Sequence, residues 1–110
     1  MIEAACHCGA VKLRIARAPD TVKDCNCSIC HRYGTLWAYY TLDQVQVSGD
    51  TDIYMWDDKS LGFHRCKHCG CVTHWWPVDE SVNRMGVNAN LMPRDVLEKA
   101  AVIPFDGASM

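Results

Sequence analysis

Cys25-Asn26-Cys27-Ser28-Ile29-Cys30-His31-Arg32-Tyr33-Gly34 places three cysteines within six positions. Cys25 and Cys27 are two apart, and in an extended chain residues i and i+2 project to the same side. Cys27 and Cys30 are three apart, the separation that a tight turn or a first helical turn brings onto one face. Zinc holds thiolate sulfur at about 2.3 Å, which spaces neighbouring sulfurs a little under ~4 Å in a tetrahedron. Such a segment makes a tripod of ligands and leaves a fourth vertex free. Ser28 is the expected cap of a short helix running to Gly34, a residue suited to the position just past a helix end. Cys30 then falls in the first turn, where the helix dipole favours a thiolate.

On either side of this stretch the thiols recur in pairs. Cys6-His7-Cys8-Gly9 and Cys66-Lys67-His68-Cys69-Gly70 read as two knuckles, each ending in glycine. Gly9 is free to take the left-handed turn that aims backbone amides at the sulfurs. Cys6, Cys8, Cys66 and Cys69 together make a closed four-cysteine structural site that ties the first strand to the middle of the chain. A redox role for the pairs is the lesser reading, because that motif normally sits on a βαβ pattern absent here. His7 and His68 lie inside knuckles already filled by cysteine and read as exposed spacers.

Cys71 is the remaining sulfur. It can complete the second tetrahedron, or it can act as a small buried apolar residue in the strand that follows Cys69-Gly70. The second reading is favoured, because the Cys71 backbone is held at the first site. Cys25, Cys27 and Cys30 then form a three-ligand site, the catalytic pattern for zinc, whereas four ligands are the structural one. Three thiolates give the site a net negative charge and blunt its power to ionise water. Soft sulfur is a better fourth ligand, so thiol binding is expected rather than hydrolysis.

Eight cysteines also fit the disulfide framework of a small secreted domain. Clustered thiols without an export signal favour metal instead. The opening Met1 to Cys6 has neither a basic segment nor an apolar one, so a cytoplasmic protein is expected. The 110 residues fit one domain, 1–110, and 49% hydrophobic against 22% charged residues indicates a globular chain. A net charge of -2 with no Lys/Arg run argues against nucleic acid or an anionic membrane as partner. No apolar run approaches the ~20 residues of a membrane span.

The intervening segments read as many short strands. Val11, Leu13 and Ile15 alternate with Lys12 and Arg14, and Ala18-Pro19-Asp20 closes that strand with a turn. Further strands are predicted over Thr35 to Thr41, Val45 to Val47, Ile53 to Trp56, Val72 to Trp76, Val82 to Ala89 and Val102 to Ile103. Leu61 to Arg65 leads into the second knuckle, and Asp57 to Ser60 reads as a turn. Pro93 opens a helix to Ala100, since proline suits the first helical position. The expected class is all-β in the main, pinned by metal, with one or two short helices.

These clusters, in this order, resemble the glutathione-dependent formaldehyde-activating enzyme and centromere protein V family. The resemblance rests on Cys6 to Val11, Cys25 to Arg32 and Cys66 to Gly70, with Gly34, Met85 to Ala89 and Phe105 to Ala108 as further matches. It implies a β-tent fold of small coiled antiparallel sheets stapled by zinc. It also implies a structural zinc at Cys6, Cys8, Cys66 and Cys69, and a catalytic zinc at Cys25, Cys27 and Cys30. The implied activity is that of a carbon–sulfur lyase, in which glutathione adds to formaldehyde to give S-hydroxymethylglutathione. The chain is short and lacks a long insertion to cradle a tripeptide, and fold alone does not fix substrate.

Among other residues, Trp37, Tyr39, Tyr40, Trp56, Trp75 and Trp76 are candidates to wall a pocket, although each taken singly reads first as sheet core. Arg32 could pair with a substrate carboxylate, but a solvated surface position is favoured. His31 and His64 stay unassigned, and Asn88 is a candidate to orient a ligand through a hydrogen bond. Two functions follow. One is a zinc-dependent lyase with a small-molecule thiol and an aldehyde as partners. The other is a non-catalytic, zinc-stabilised module in which both metals are structural.

Overall fold

A computed structural model describes residues 1–56 and 59–109, so the turn read at Asp57 and Asp58 lies outside the described residues. In chain order the strands are β1 (Ile2–Ala5), β2 (Lys12–Ile15), β3 (Thr21–Cys25), β4 (Trp37–Tyr40) and β5 (Val45–Ser48). They continue with β6 (Thr51–Tyr54), β7 (Leu61–Cys66), β8 (Val72–Pro77), β9 (Met85–Asn88) and β10 (Ala101–Phe105). Helix α1 (Ser28–Tyr33) joins β3 to β4, and α2 (Arg94–Glu98) precedes β10. One sheet has the order β1-β2-β5, and the other β10-β3-β4-β9-β8-β7-β6. The mainly β class with two short helices is as the sequence indicates. No helix among the described residues is long and apolar enough to cross a membrane.

Register sorts the side chains of the larger sheet. Residues paired across antiparallel strands share a face, and alternate residues along a strand take opposite ones. Ala38 pairs with Val87, and Tyr40 with Met85. With Val22 they pack against Ala4, Leu13, Ile15 and Val45 from the smaller sheet, forming the main core. Trp37 and Tyr39 fall on the opposite face. There Cys25, Ile29, Cys30, Trp37, Phe63 and Trp75 make a second cluster, with Tyr39, Leu61 and Phe105 packed against it. One face therefore secures the fold, and the other is left for a site.

Several elements differ from the expected bounds. Cys27, not Ser28, caps α1: its backbone is extended (φ -62, ψ 164) and its sulfur accepts from the Cys30 amide. Ser28 is the first helical residue. Gly34 does end the helix, at φ 68 and ψ 28, a conformation that costs a residue with a Cβ. Strands β1, β3 and β7 lie outside the predicted set, because Ile2 to Ala5, Thr21 to Cys25 and Leu61 to Cys66 carry few of the β-branched and aromatic residues that mark a strand. Strand β6 begins two residues before Ile53, and Trp56 lies beyond it. Strand β9 is shorter than Val82 to Ala89, since the Val82 amide donates to the Asp79 carbonyl and closes a turn. Pro93 caps α2 rather than entering it. Strand β10 runs past Val102-Ile103 in both directions and pairs in parallel with β3. It lies at the sheet edge, where Pro104 can sit without a missing amide breaking the ladder.

Candidate metal centre and its aromatic hollow

Two cysteine clusters form among the described residues. Cys6, Cys8, Cys66 and Cys69 make one, and Cys25, Cys27 and Cys30 the other, with the sulfurs of each within 4.8 Å of one another. In the first, Cys6 and Cys8 sulfurs are 3.7 Å apart, and Cys8 and Cys66 sulfurs 3.6 Å. Those separations match sulfurs at the vertices of a zinc tetrahedron. All eight cysteines are free thiols.

The two knuckles are built alike. The Cys6 amide donates to the Val11 carbonyl, and the Cys66 amide donates to the Cys71 carbonyl. Amides also point at sulfur: Val11 N–H lies 3.3 Å from Cys6 Sγ, and His68 N–H 3.4 Å from Cys66 Sγ. Cys71 thus closes the second knuckle through its backbone and does not join the three-cysteine cluster. Its side chain is half-buried rather than fully buried, packed at the margin of the main core. His7 and His68 are exposed, as expected of spacers.

Crowded thiols cannot all ionise without a cation beside them. Backbone N–H groups of Cys71 and then Cys8 pull the Cys69 thiol down to about 5. The Ala10 amide favours the Cys8 thiolate too, yet burial and the neighbouring sulfurs push Cys8 up to about 11. A divalent ion is the partner that lets such a set hold several thiolates together.

The tripod is assembled by three local devices. Cys25 ends β3, Cys27 caps α1, and Cys30 lies in the first turn of that helix. The Trp37 indole N–H donates to Cys30 Sγ at 3.3 Å inside the protein. Burial pushes the Cys30 thiol up to about 12, and the indole partly opposes it. Against burial, the Cys30 amide lowers Cys27. The chain after β10 braces the loop from outside. Asn26 N–H donates to the Phe105 carbonyl at 3.1 Å, its side-chain amide donates to Asp106 at 3.0 Å, and Ala108 N–H donates to Asn26 Oδ1 at 2.9 Å. A Cβ on Gly107 would lie 2.6 Å from Cys25 Sγ, so only glycine fits there. Nothing in the short motif pointed to Gly107, which comes to the site from the far end of the chain.

Beside the three sulfurs lies a cavity of about 280 Å³, walled by Trp37, Tyr39, Trp56, Leu61, Phe63, Trp75 and Phe105. Among the described residues, no fourth His, Cys, Asp or Glu joins the tripod. Of the aromatic candidates, Tyr40 and Trp76 do not line this cavity. Each is one residue out of phase with a wall residue: the Tyr40 hydroxyl donates to the Arg17 carbonyl, and the Trp76 ring packs beside His74. Leu61, Phe63 and Phe105 were missed, although the alternation that sets Trp75 across from Phe63 also selects Leu61, and Phe105 is in register with Cys25.

Gly86 lies under Trp75, one wall of the cavity. It pairs with Tyr39 on one side and Trp75 on the other. A Cβ at this position would fall 2.6 Å from Trp75 Cδ1 and 2.7 Å from Cε2, so the indole lies across bare backbone. Tyr39 meets that indole edge-on, with ring centroids 6.1 Å apart.

The other candidates lie elsewhere. Arg32 is exposed and donates to the Ser28 carbonyl. His31 is exposed. His64 stacks on His74 at 4.2 Å, outside the residues that line the cavity. Asn88 donates to the Val72 carbonyl and accepts from the Asn90 amide, so it fastens strands and not a ligand.

None of the curated proteins matches the chain. A solved structure of a Rhodobacter sphaeroides protein is similar at 24% identity, covering 93% of this chain and 100% of that one with a TM-score of 0.74, a likeness of fold. The family model described as glutathione-dependent formaldehyde-activating enzyme matches residues 1–102. The chain belongs to the glutathione-dependent formaldehyde-activating enzyme family.

Proposed function

We propose that this protein is a zinc-dependent carbon–sulfur lyase that joins a thiol to a small aldehyde, or releases it. Cys6, Cys8, Cys66 and Cys69 hold a structural zinc, and Cys25, Cys27 and Cys30 hold the catalytic one. The observation that carries the reading is an all-sulfur tripod, with no fourth protein ligand among the described residues, bordering an aromatic hollow. The donor set fits zinc, which takes soft thiolates in a tetrahedron.

When bound, the metal keeps a fourth, substrate thiol deprotonated while leaving its sulfur nucleophilic. The chain's own residues do the remaining work. Trp37 N–H fixes Cys30 Sγ, and Gly107 with Asn26 fixes the loop that carries Cys25 and Cys27. The apolar walls exclude water, so the substrate sulfur meets the aldehyde carbon rather than a hydration shell. A carbon–sulfur bond forms, the carbonyl pair moves to oxygen, and that oxygen takes the proton the thiol gave up. Tyr39, whose hydroxyl burial holds in the phenol form, offers a donor on the wall. A cavity near 280 Å³ falls just below the ~300–1,000 Å³ usual for ligand sites. That size admits formaldehyde and the reacting end of glutathione.

Metal analysis combined with thiol titration tests the reading. Two zinc ions per chain are expected, and glutathione should perturb the spectrum of cobalt-substituted protein. Cys27→Ser should abolish that perturbation while the protein remains folded. Two metals with no response to any thiol would favour the non-catalytic module.

A further inference from the structure

Two cations stand on the aromatic face of the larger sheet and take no part in the chemistry above. Lys23 is in register with Trp37, so it rises on the face that carries the hollow. Its Nζ lies 4.9 Å from the centre of the Phe105 ring and 5.9 Å from that of Tyr39. Arg84 precedes β9, with its guanidinium carbon 4.1 Å from the centre of the Tyr39 ring. Tyr39 and Phe105 both wall the cavity that the three cysteines border. Neither cation lines the cavity itself; each stands against the ring of a residue that does.

Among the described residues neither cation is in an ion pair. The ion pairs among the described residues are Arg14 with Glu3 and Lys67 with Asp52. A ring face attracts a cation only weakly where water reaches it, and leaves its hydrogen-bond donors unspent. Arg32 and Arg65 border a neighbouring hollow, whereas among the described residues the cations over wall rings of the tripod's cavity are Lys23 and Arg84.

The charge of the site gives these cations a purpose. Three thiolates around a divalent ion are net negative, so an anionic thiol approaching them is repelled unless positive charge stands close by. A neutral thiol needs no such help. We propose that Lys23 and Arg84 form a carboxylate-binding rim that selects carboxylate-bearing thiols over neutral ones. The inference rests on the tripod being a thiol site.

The test compares glutathione with its diethyl ester, which keeps the thiol and masks both carboxylates. Each is titrated into cobalt-substituted protein, and the dissociation constant is read from the metal-to-sulfur absorption. Glutathione should bind about tenfold or more tightly than the ester, the range of one or two hydrogen bonds to a charged group. Lys23→Gln with Arg84→Gln should erase that preference by weakening glutathione alone, with ester binding unchanged. The charge-conserving pair Lys23→Arg and Arg84→Lys should retain it. Equal affinities in the parent protein, or a preference that survives the double glutamine variant, overturn the rim and leave the thiol site standing. Silence toward both thiols overturns the thiol site, and the rim with it.

Discussion

Replacing Gly86 by alanine is expected to spoil the hollow by adding a single carbon. That carbon would lie 2.6 Å and 2.7 Å from two atoms of the Trp75 indole, about an ångström inside ordinary contact. The indole has little room to yield. It is 8% exposed, its backbone is paired with both β7 and β9, and Tyr39 stands against its edge. Overpacking of this kind costs about 1–3 kcal/mol. In a domain of this size each kcal/mol lowers the melting temperature by roughly 4 °C or more. A drop of ~5–15 °C in metal-loaded protein is therefore expected, measured by calorimetry. Near-ultraviolet circular dichroism should change with it, because Trp75 must turn away from Tyr39. Thiol affinity should also fall, although the substitution touches no cysteine. A variant that melts with the parent and keeps its aromatic spectrum would show that the glycine is not what lets the indole lie flat.

Two further outcomes follow from particular groups. Trp37→Phe keeps an aromatic ring in the cavity wall and removes the N–H that Cys30 Sγ accepts. It should weaken metal retention at the tripod by about tenfold in competition with a chelator, the four-cysteine site being unaffected; equal retention refutes a supporting role for the indole. His74 is 3% exposed, and burial, then the adjacent His64, presses its imidazolium down to about 3, against about 6.5 in an unfolded chain. The folded form thus binds fewer protons, so stability is fully present above about pH 6.5 and is lost as pH falls toward 3, by at most ~1.4 kcal/mol per pH unit. His74→Gln should flatten that part of the pH profile relative to the parent; parallel profiles would count against it.

The three cysteine groups were legible because their chemistry is local. Cys-x-Cys and Cys-x-x-Cys spacings bring sulfurs together over a few residues whatever surrounds them, and the structure brings together the same sets of four and three. Ser28 illustrates the limit at close range: a serine is the usual cap, yet a cysteine sulfur facing its own cluster accepts the amide instead. The aromatics were legible as a class but not as a wall. Choosing Trp75 over Trp76, or Tyr39 over Tyr40, needs the strand register, and register is a pairing between distant segments.

From the sequence alone came the class of fold, the sorting of seven sulfurs into two groups, and the kinship that those groups carry. Spacing along the backbone is enough for that. Tertiary structure alone decided where Cys71 goes, which face of each strand meets the tripod, and that Gly107 presses on Cys25 while Gly86 underlies Trp75 and Arg84 stands over Tyr39. These residues lie up to 82 positions from the cysteines they serve, a separation bridged by the same kind of long-range link as the Asn26 to Ala108 hydrogen bond. No local pattern encodes such an approach, because it exists only once the sheets have closed on one another.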